Sequence, residues 1–473
     1  MRASGRTLGR RALLGTLARG GTALAALAAC GGTVAPPPTS TPAPTKPAEP
    51  AAGSAPTKPA AEPTRAPAAD KPAAKGGGKV RYLYNATPGP NEKVHLDLVD
   101  LYGKLYPGVE VEKIRVPNDA ELVRKLLAML AANDLPDLYW NRQRTATPFF
   151  DRGVVLDINP HVAADKIDLK DFWPSAIKTY TREGKLYGLP NSASSHAYYF
   201  NADLYKEAGV PLPTESAARG PWSWDQLVEQ GLKLTKGGGP NKQFGFDAVT
   251  SIYHVDMFIW QNGGDLWDEK LTECWLNRPP AVEAIQFLVD GTQKHKITPS
   301  SVETKAGGDL FAAGRIGIKT AGRFILDSLL SIKFDVGMVI APAGPKANTT
   351  RGDDLAASIL NKAANQDNAW NFAKMWSSDD GQKLVLASRR SFTARRSFAL
   401  SAWMKENLLP WENLETYLTG LERTGVYIAP GHTGEVNAIF DRELDLAYLG
   451  EKSVKDATET MKREIDAALK KPL

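Results

Sequence analysis

The sequence predicts an α/β fold with mainly parallel sheets, and three observations point to it. After Gly78, short β-type runs alternate with amphipathic helical stretches. The 473 residues suffice for two or more lobes with their own hydrophobic cores. The apolar and charged fractions, 42% and 23%, are those of a globular chain rather than a disordered one.

The N-terminus is different in kind. Arg2, Arg6, Arg10, Arg11 and Arg19 occur with no acidic residue, followed by the apolar run from Thr22 to Ala29. This is the pattern of an export signal, residues 1–29, and not of a folded element. Leu27-Ala28-Ala29-Cys30-Gly31 resembles the bacterial lipobox, in which Cys30 is acylated and becomes the mature N-terminus. Arg10-Arg11 also resembles a twin-arginine signal, so the export route stays open. Removing five arginines takes the formal charge from +5 to 0, which withdraws the main argument for a nucleic-acid partner. With lipid on Cys30, Cys274 is left without a disulfide partner and is expected to pack as a small hydrophobe. No later apolar run approaches the roughly 20 residues that span a bilayer, so the expected location is extracytoplasmic, on a lipid anchor.

Residues 30–78 are dominated by Pro, Ala, Thr, Lys and Glu, and the first aromatic residue of the chain is Tyr82. Too little apolar surface is present to offset chain entropy, so this stretch is expected to be a disordered tether. The folded pattern then begins with a strand at Val80 to Tyr84, a helix at Glu92 to Leu105 and a strand at Val109 to Val116. Asn118 or Asp119 can cap the next helix, whose apolar residues Leu122, Val123, Leu126, Leu127, Met129 and Leu130 form a wide face. Asp137 to Trp140 returns as a strand. Ser223 and Gln226 have capping-box spacing before another helix, and Pro279-Pro280 opens a further one. Gly237-Gly238-Gly239-Pro240 reads as a surface turn, because no Lys-Ser/Thr follows at phosphate-loop spacing.

Several segments, in order, resemble the extracellular solute-binding proteins of ABC importers, specifically the carbohydrate-type family 1 group. They are Leu135-Pro136-Asp137-Leu138-Tyr139-Trp140, Gly184 to Pro190 with Tyr198 to Tyr205, and Trp224-Asp225-Gln226-Leu227. Phe311 to Ile318 with Gly322-Arg323-Phe324, Met338 to Pro345, and Asn365 to Leu384 complete the set. Two departures leave the ligand open: the family often has Trp where Phe324 stands, and Arg351-Gly352-Asp353-Asp354 is unusually charged for its place.

The resemblance implies a two-lobe periplasmic-binding-protein-like fold of type II, with a central cleft and a hinge. Lobe one is expected from residues 79–192 plus 360–400, and lobe two from 195–356 plus 401–473. The crossings are placed near Ser192 to Phe200 and Leu355 to Asn361. It further implies a monomeric, non-enzymatic receptor that hands its solute to the permease subunits of an importer.

Ligands of open α/β sheets bind beyond the carboxyl ends of strands. A sugar presents apolar C–H faces and a rim of hydroxyls, so its site needs flat aromatic rings beside short planar hydrogen-bonders. The candidates on these grounds are Tyr84, Asn85, Trp140, Asn141, Arg142, Asn191, Ser192, Trp260, Gln261, Asp265 and Trp267, with Arg323, Phe324 and Arg351 added from the resembling turn and the charged segment. Arg323 can instead pair with a structural carboxylate, and Tyr427 is a further candidate.

Two other readings remain. A secreted glycoside hydrolase would also need a cleft and aromatics, but no motif singles out a carboxylate pair. Ser175 and Lys178 have the Ser-x-x-Lys spacing of some acyl enzymes without the partner motifs. The same receptor fold could carry a peptide, a polyamine or a polyol phosphate. The six histidines are scattered singly, with His196 at the expected crossing, so neither a metal nor another cofactor is expected.

Overall fold

Residues Gly78–Asn85 form a central strand, and the burial of Val80, Tyr82, Leu83 and Tyr84 shows why an uninterrupted apolar run suits that place. In the computed structural model, which describes residues 78–247 and 249–471, this strand is paired in parallel with Val109–Val116 and with Leu138–Arg142. The expected export signal, Cys30 and all of the expected tether except Gly78 lie outside the described residues.

The helices between these strands begin where their capping residues stand. Helix Pro90–Leu105 has Pro at its first turn and buries His95, Leu98 and Tyr102, which lie on one face. Helix Asp119–Ala131 is capped by Asn118, whose side chain accepts from the Glu121 amide at 3.0 Å. Its buried face, Leu122, Leu126 and Met129, is narrower than expected, and Leu127 is exposed. Helix Trp224–Leu234 carries the expected capping box between Ser223 and Gln226, and Pro279 opens helix Pro279–Gln293.

Two main sheets result. The first runs, in spatial order, Val109–Val116, Gly78–Asn85, Leu138–Arg142, Leu355–Ile359 and Leu189–Ser192. The second runs Val336–Val339, Ala197–Asn201, Ile316–Ala321 and Phe244–Phe246. Both are mixed, not mainly parallel: Leu355–Ile359 is antiparallel to both of its neighbours, and Ala197–Asn201 is antiparallel to both of its own. The reason is topological. These are the strands by which the chain returns from one sheet or enters the other, and it does so against the direction of the strands already there.

The crossing segments lie side by side. His196 donates its backbone N–H to the Arg351 carbonyl at 2.7 Å, and Asp353 does so to Ser194 at 2.8 Å. Strand Leu355–Ile359 belongs wholly to the first sheet, so the second crossing falls at Arg351 to Asp354, upstream of the expected Leu355 to Asn361. Gly352 permits the close approach, since a Cβ there would sit 2.4 Å from Thr424 Cγ2.

Each sheet has its own core. Val80, Tyr82, Tyr102, Phe372 and Trp376 pack on the first, while Tyr198, Trp224, Phe258, Tyr448 and Met461 belong to the core around the second. A third cluster, including Trp173, Ala193, Phe392, Tyr199 and Tyr417, joins residues from both sides of the crossing. Within the second lobe, Gly245 backs onto Gly231 so closely that an added Cβ would meet the Gly231 Cα at 2.3 Å. Cys274 is buried in that core, and burial pushes its thiol up to about 12.

Candidate functional site

The first sheet gathers the site because of its strand directions. Gly78–Asn85, Leu138–Arg142 and Leu189–Ser192 run the same way, so Asn85, Arg142 and Ser192 share one edge. The antiparallel strand Leu355–Ile359 starts at that edge, with Leu355 opposite both Arg142 and Ser192. Asp353 and Asp354 are thereby delivered to the same place.

At this edge Asp119, in the first turn of its helix, accepts from Asn85 Nδ2 at 3.0 Å. Its carboxylate oxygens lie 3.2 Å from Arg142 Nε and 3.5 Å from Arg144 Nε. The Arg142 guanidinium stands 4.4 Å over the Trp140 ring. Arg144 reaches the other lobe, with its guanidinium 5.0 Å over Tyr253, and Gln143 Nε2 donates to the Tyr427 carbonyl at 3.0 Å.

The second lobe meets this edge with helix Ile252–Gln261, whose Tyr253, Asp256 and Trp260 recur at helical spacing. Asp256 is ion-paired with the buried Arg351, and Arg351 also stands 5.1 Å over Tyr253 and 5.6 Å over Tyr427. Between the lobes, His196 Nε2 is 3.3 Å from Asp353 Oδ2, and the His196 ring lies 5.2 Å from His254 and 6.1 Å from Phe324. Gly322 makes room for Phe324, since a Cβ would touch its ring at 2.9 Å.

Burial and charge set the protonation here. Burial alone would raise the Asp353 carboxyl, yet the bond from His196 and the charges of Arg351 and Arg144 hold it far below the usual carboxylate range. Burial lowers His196 and His254 and keeps both neutral, against the pull of Asp353. Asp256 is pushed up to about 7 by burial, only partly offset by Arg351. Asp354 is raised to about 7 by burial too, although Thr179 Oγ1 donates to it at 2.9 Å.

Of the residues expected from sequence, Asn85, Trp140, Arg142 and Arg351 are brought together, and Phe324 stands at 38% exposure beside His196. Trp140, Asn141 and Arg142 form the strand's own last residues rather than following it. Asn141 donates to Ser358 Oγ across the sheet, and Tyr84 stacks on His95 at 4.5 Å. Asn191 has no hydrogen-bond partner on either side-chain atom, and Ser192 Oγ has none.

Others are committed elsewhere. Gln261 is buried, accepting from Trp224 Nε1 and donating to the Thr349 carbonyl. Trp267 packs against Tyr427 in the core, and Trp260 donates to Asp265. Arg323, named as a ligand residue, has Nε and Nη2 on Glu412 and Nη1 on the Leu386 and Ser391 carbonyls, so it acts as a buried strut. The alternative of a structural carboxylate partner is the one its bonds describe.

Sequence reasoning missed Asp119 as a site residue, along with Arg144, Tyr253, His254 and Asp353. The alternating Arg142-Gln143-Arg144 at a strand–helix junction was a usable signal for Arg144. None existed for Tyr253, which arrives from 109 positions further along the chain. Among the described residues, no three His, Cys, Asp or Glu converge as a metal-ligand set.

Residues 88–383 match the family model of the bacterial extracellular solute-binding proteins. A Brucella abortus protein named simply as a binding protein is 26% identical over 291 residues, 57% of this chain and 66% of the relative. The maltotriose-binding protein of Pyrococcus abyssi is 24% identical over 313 residues, 64% of this chain and 63% of the relative. The chain thus spans just under two thirds of the length of these relatives. Among solved structures, an ABC substrate-binding protein of Listeria monocytogenes in complex with cycloalternan superposes with a TM-score of 0.73. It is 20% identical, over 83% of this chain and 99% of that one, and shows the same two-lobe fold.

Proposed function

Because this chain belongs to the family of bacterial extracellular solute-binding proteins, we propose that it is the monomeric receptor of an ABC importer and closes on a small polar solute, a sugar or oligosaccharide. One observation carries the reading. The carboxyl ends of three strands meet the face of a helix from the other lobe, and on these strand ends and the crossing beside them are buried polar atoms without a hydrogen-bond partner: Asn85 Oδ1, Arg142 Nε, both Asn191 side-chain atoms, Ser192 Oγ and His196 Nδ1. Beside aromatic rings, such atoms are what hydroxyls satisfy. The sugar-binding names of relatives, maltotriose in one and arabinooligosaccharide in another, favour the same class.

A hydrolase would need one free carboxylate as acid and a second as nucleophile or base. Here Asp119, Asp256 and Asp353 are each held by arginine or histidine, and Asp354 is fully buried on Thr179, away from any solute, which argues for a receptor. A polyamine would meet arginines in the cleft, which disfavours it.

Closure follows from differential binding, since only the closed form touches the solute from both lobes. A cognate sugar at about 100 times its dissociation constant should stabilise the protein by about 2.7 kcal/mol and compact it in solution scattering. A bound sugar with an unchanged scattering profile would count against closure, and a sugar recovered in cleaved form would count against the receptor.

The anchor belongs to the same proposal. The order of basic segment, apolar segment and Cys30 supports lipidation, and among the described residues no helix is long and apolar enough to cross a membrane. Cys30→Ala should move the protein from the detergent phase to the aqueous phase in a Triton partition. Unchanged partition would remove the anchor.

A further inference from the structure

The geometry points to a solute that carries an anionic group, a carboxylate or a phosphate, received between Arg142 and Arg144 at the mouth of strand Leu138–Arg142. This rests on the receptor reading above and narrows its substrate class. Each guanidinium offers five N–H donors in a planar fork. Yet neither side chain donates a hydrogen bond to any described residue, and Arg142 Nε is buried without an acceptor. The carboxylate they share, Asp119, stands at 3.2 and 3.5 Å and is already bonded by Asn85. The next carboxylate, Asp353, acts on Arg144 through its charge, but it accepts its closest contact from His196 and lies 3.7 Å from Arg351, while Asp256 is occupied by Arg351. Both guanidinium groups are therefore ion-paired but keep donors unused in a partly buried place, where a charged acceptor on the solute can take them.

Three further features agree. Helix Gln143–Asp151 starts at this point and its N-cap, Arg142, provides no side-chain cap, so the positive end of the helix adds to the arginines. Trp140 and Tyr253 present ring faces under the two guanidinium groups, a setting in which a planar fork can still turn its edge to an anion. Burial, together with the charge of Arg142, lowers Arg390, so a further cation stands within the field of Arg142. A neutral sugar would use such forks only as hydroxyl donors. A carboxylate or phosphate would accept paired, charge-assisted bonds from them.

The test uses the full chain and a calorimetric panel of mono- to trisaccharides in matched neutral, uronate and phosphate forms. The tightest binder is expected to be anionic, at least about 10-fold tighter than its neutral counterpart. Its affinity should fall several-fold between about 0.05 and about 0.5 M salt. Arg142→Gln and Arg144→Gln should each weaken it about 10-fold or more, narrow its margin over the neutral counterpart and flatten its salt dependence. Whether the tightest binder is a uronate or a phosphate then identifies the group. A neutral tightest binder, insensitive to salt, overturns the anionic assignment and leaves the receptor reading standing. No binding anywhere in the panel overturns both. Should Arg142→Gln fail to fold by its melting curve, Arg144→Gln and the salt dependence of the wild type decide.

Discussion

Replacing Glu412 by alanine is expected to destabilise the protein by about 3–5 kcal/mol, the cost of leaving a buried charge without its partner. Glu412 accepts from Arg323 Nε at 2.8 Å, Arg323 Nη2 at 3.2 Å, Tyr417 Oη at 2.7 Å and the Leu409 amide at 2.9 Å. Arg323 spends its remaining donor on the Leu386 and Ser391 carbonyls. The carboxylate accepts four bonds and the guanidinium gives four of its five protons inside the protein, at side-chain exposures of 2% and 0%. The network ties the turn after strand Ile316–Ala321 to the helix before Ser391 and to helix Leu414–Glu422. Denaturant melts of Glu412→Ala beside Glu412→Gln measure it, with the glutamine expected to retain part of the bonding. A loss below about 1 kcal/mol would mean that the pair is no better than a surface ion pair.

Acid should weaken the protein through His95, by about 5 kcal/mol in all. His95 is buried, with Nδ1 2.7 Å from Tyr82 Oη and with Tyr84 and Trp140 rings against it. Burial first, and the charge of Arg142 second, lower it to about 3. Between its ordinary value near 6.5 and that point, the unfolded chain takes up a proton that the folded one refuses. Stability is therefore whole above about pH 6.5 and drains away as pH falls toward 3. His196 and His254 act with the same sign. Asp256 and Asp354, raised to about 7, act oppositely, since their protonation favours the folded state as pH drops from 7. The His95 share is isolated by comparing unfolding free energies at pH 7 and pH 4 for wild type and His95→Gln, whose difference should shrink in the variant. An imidazole signal from His95 titrating near pH 6 would sink the prediction.

Much of the local structure could be read directly. Asn118, Ser223 and Pro279 each start the helix their chemistry favours, because a cap is a contact between near neighbours. Strand Val109–Val116 has the expected bounds, since apolar residues at Val109, Val111, Ile114 and Val116 mark it. Asn85 and Arg142 were legible as candidates for a similar reason, as both end strands. Gln261 and Trp267 looked the same in sequence, within a stretch rich in aromatic and amide side chains, but lie inside the second lobe. A short planar hydrogen-bonder serves a sugar and a buried backbone carbonyl equally well, and sequence does not say which one it will meet.

The sequence by itself determined the α/β alternation, the places where helices start, the separate character of the first 77 residues and, through its motifs, the family. Only the tertiary structure decided that the sheets are mixed, that Arg323 is a strut, and that Asp119, Arg144, Tyr253 and Asp353 come close together. The division has a physical cause: caps and periodicity act over a few residues, whereas a charge's partner is chosen by whatever the fold brings within about 4 Å. For Arg351 that partner is Asp256, 95 positions away.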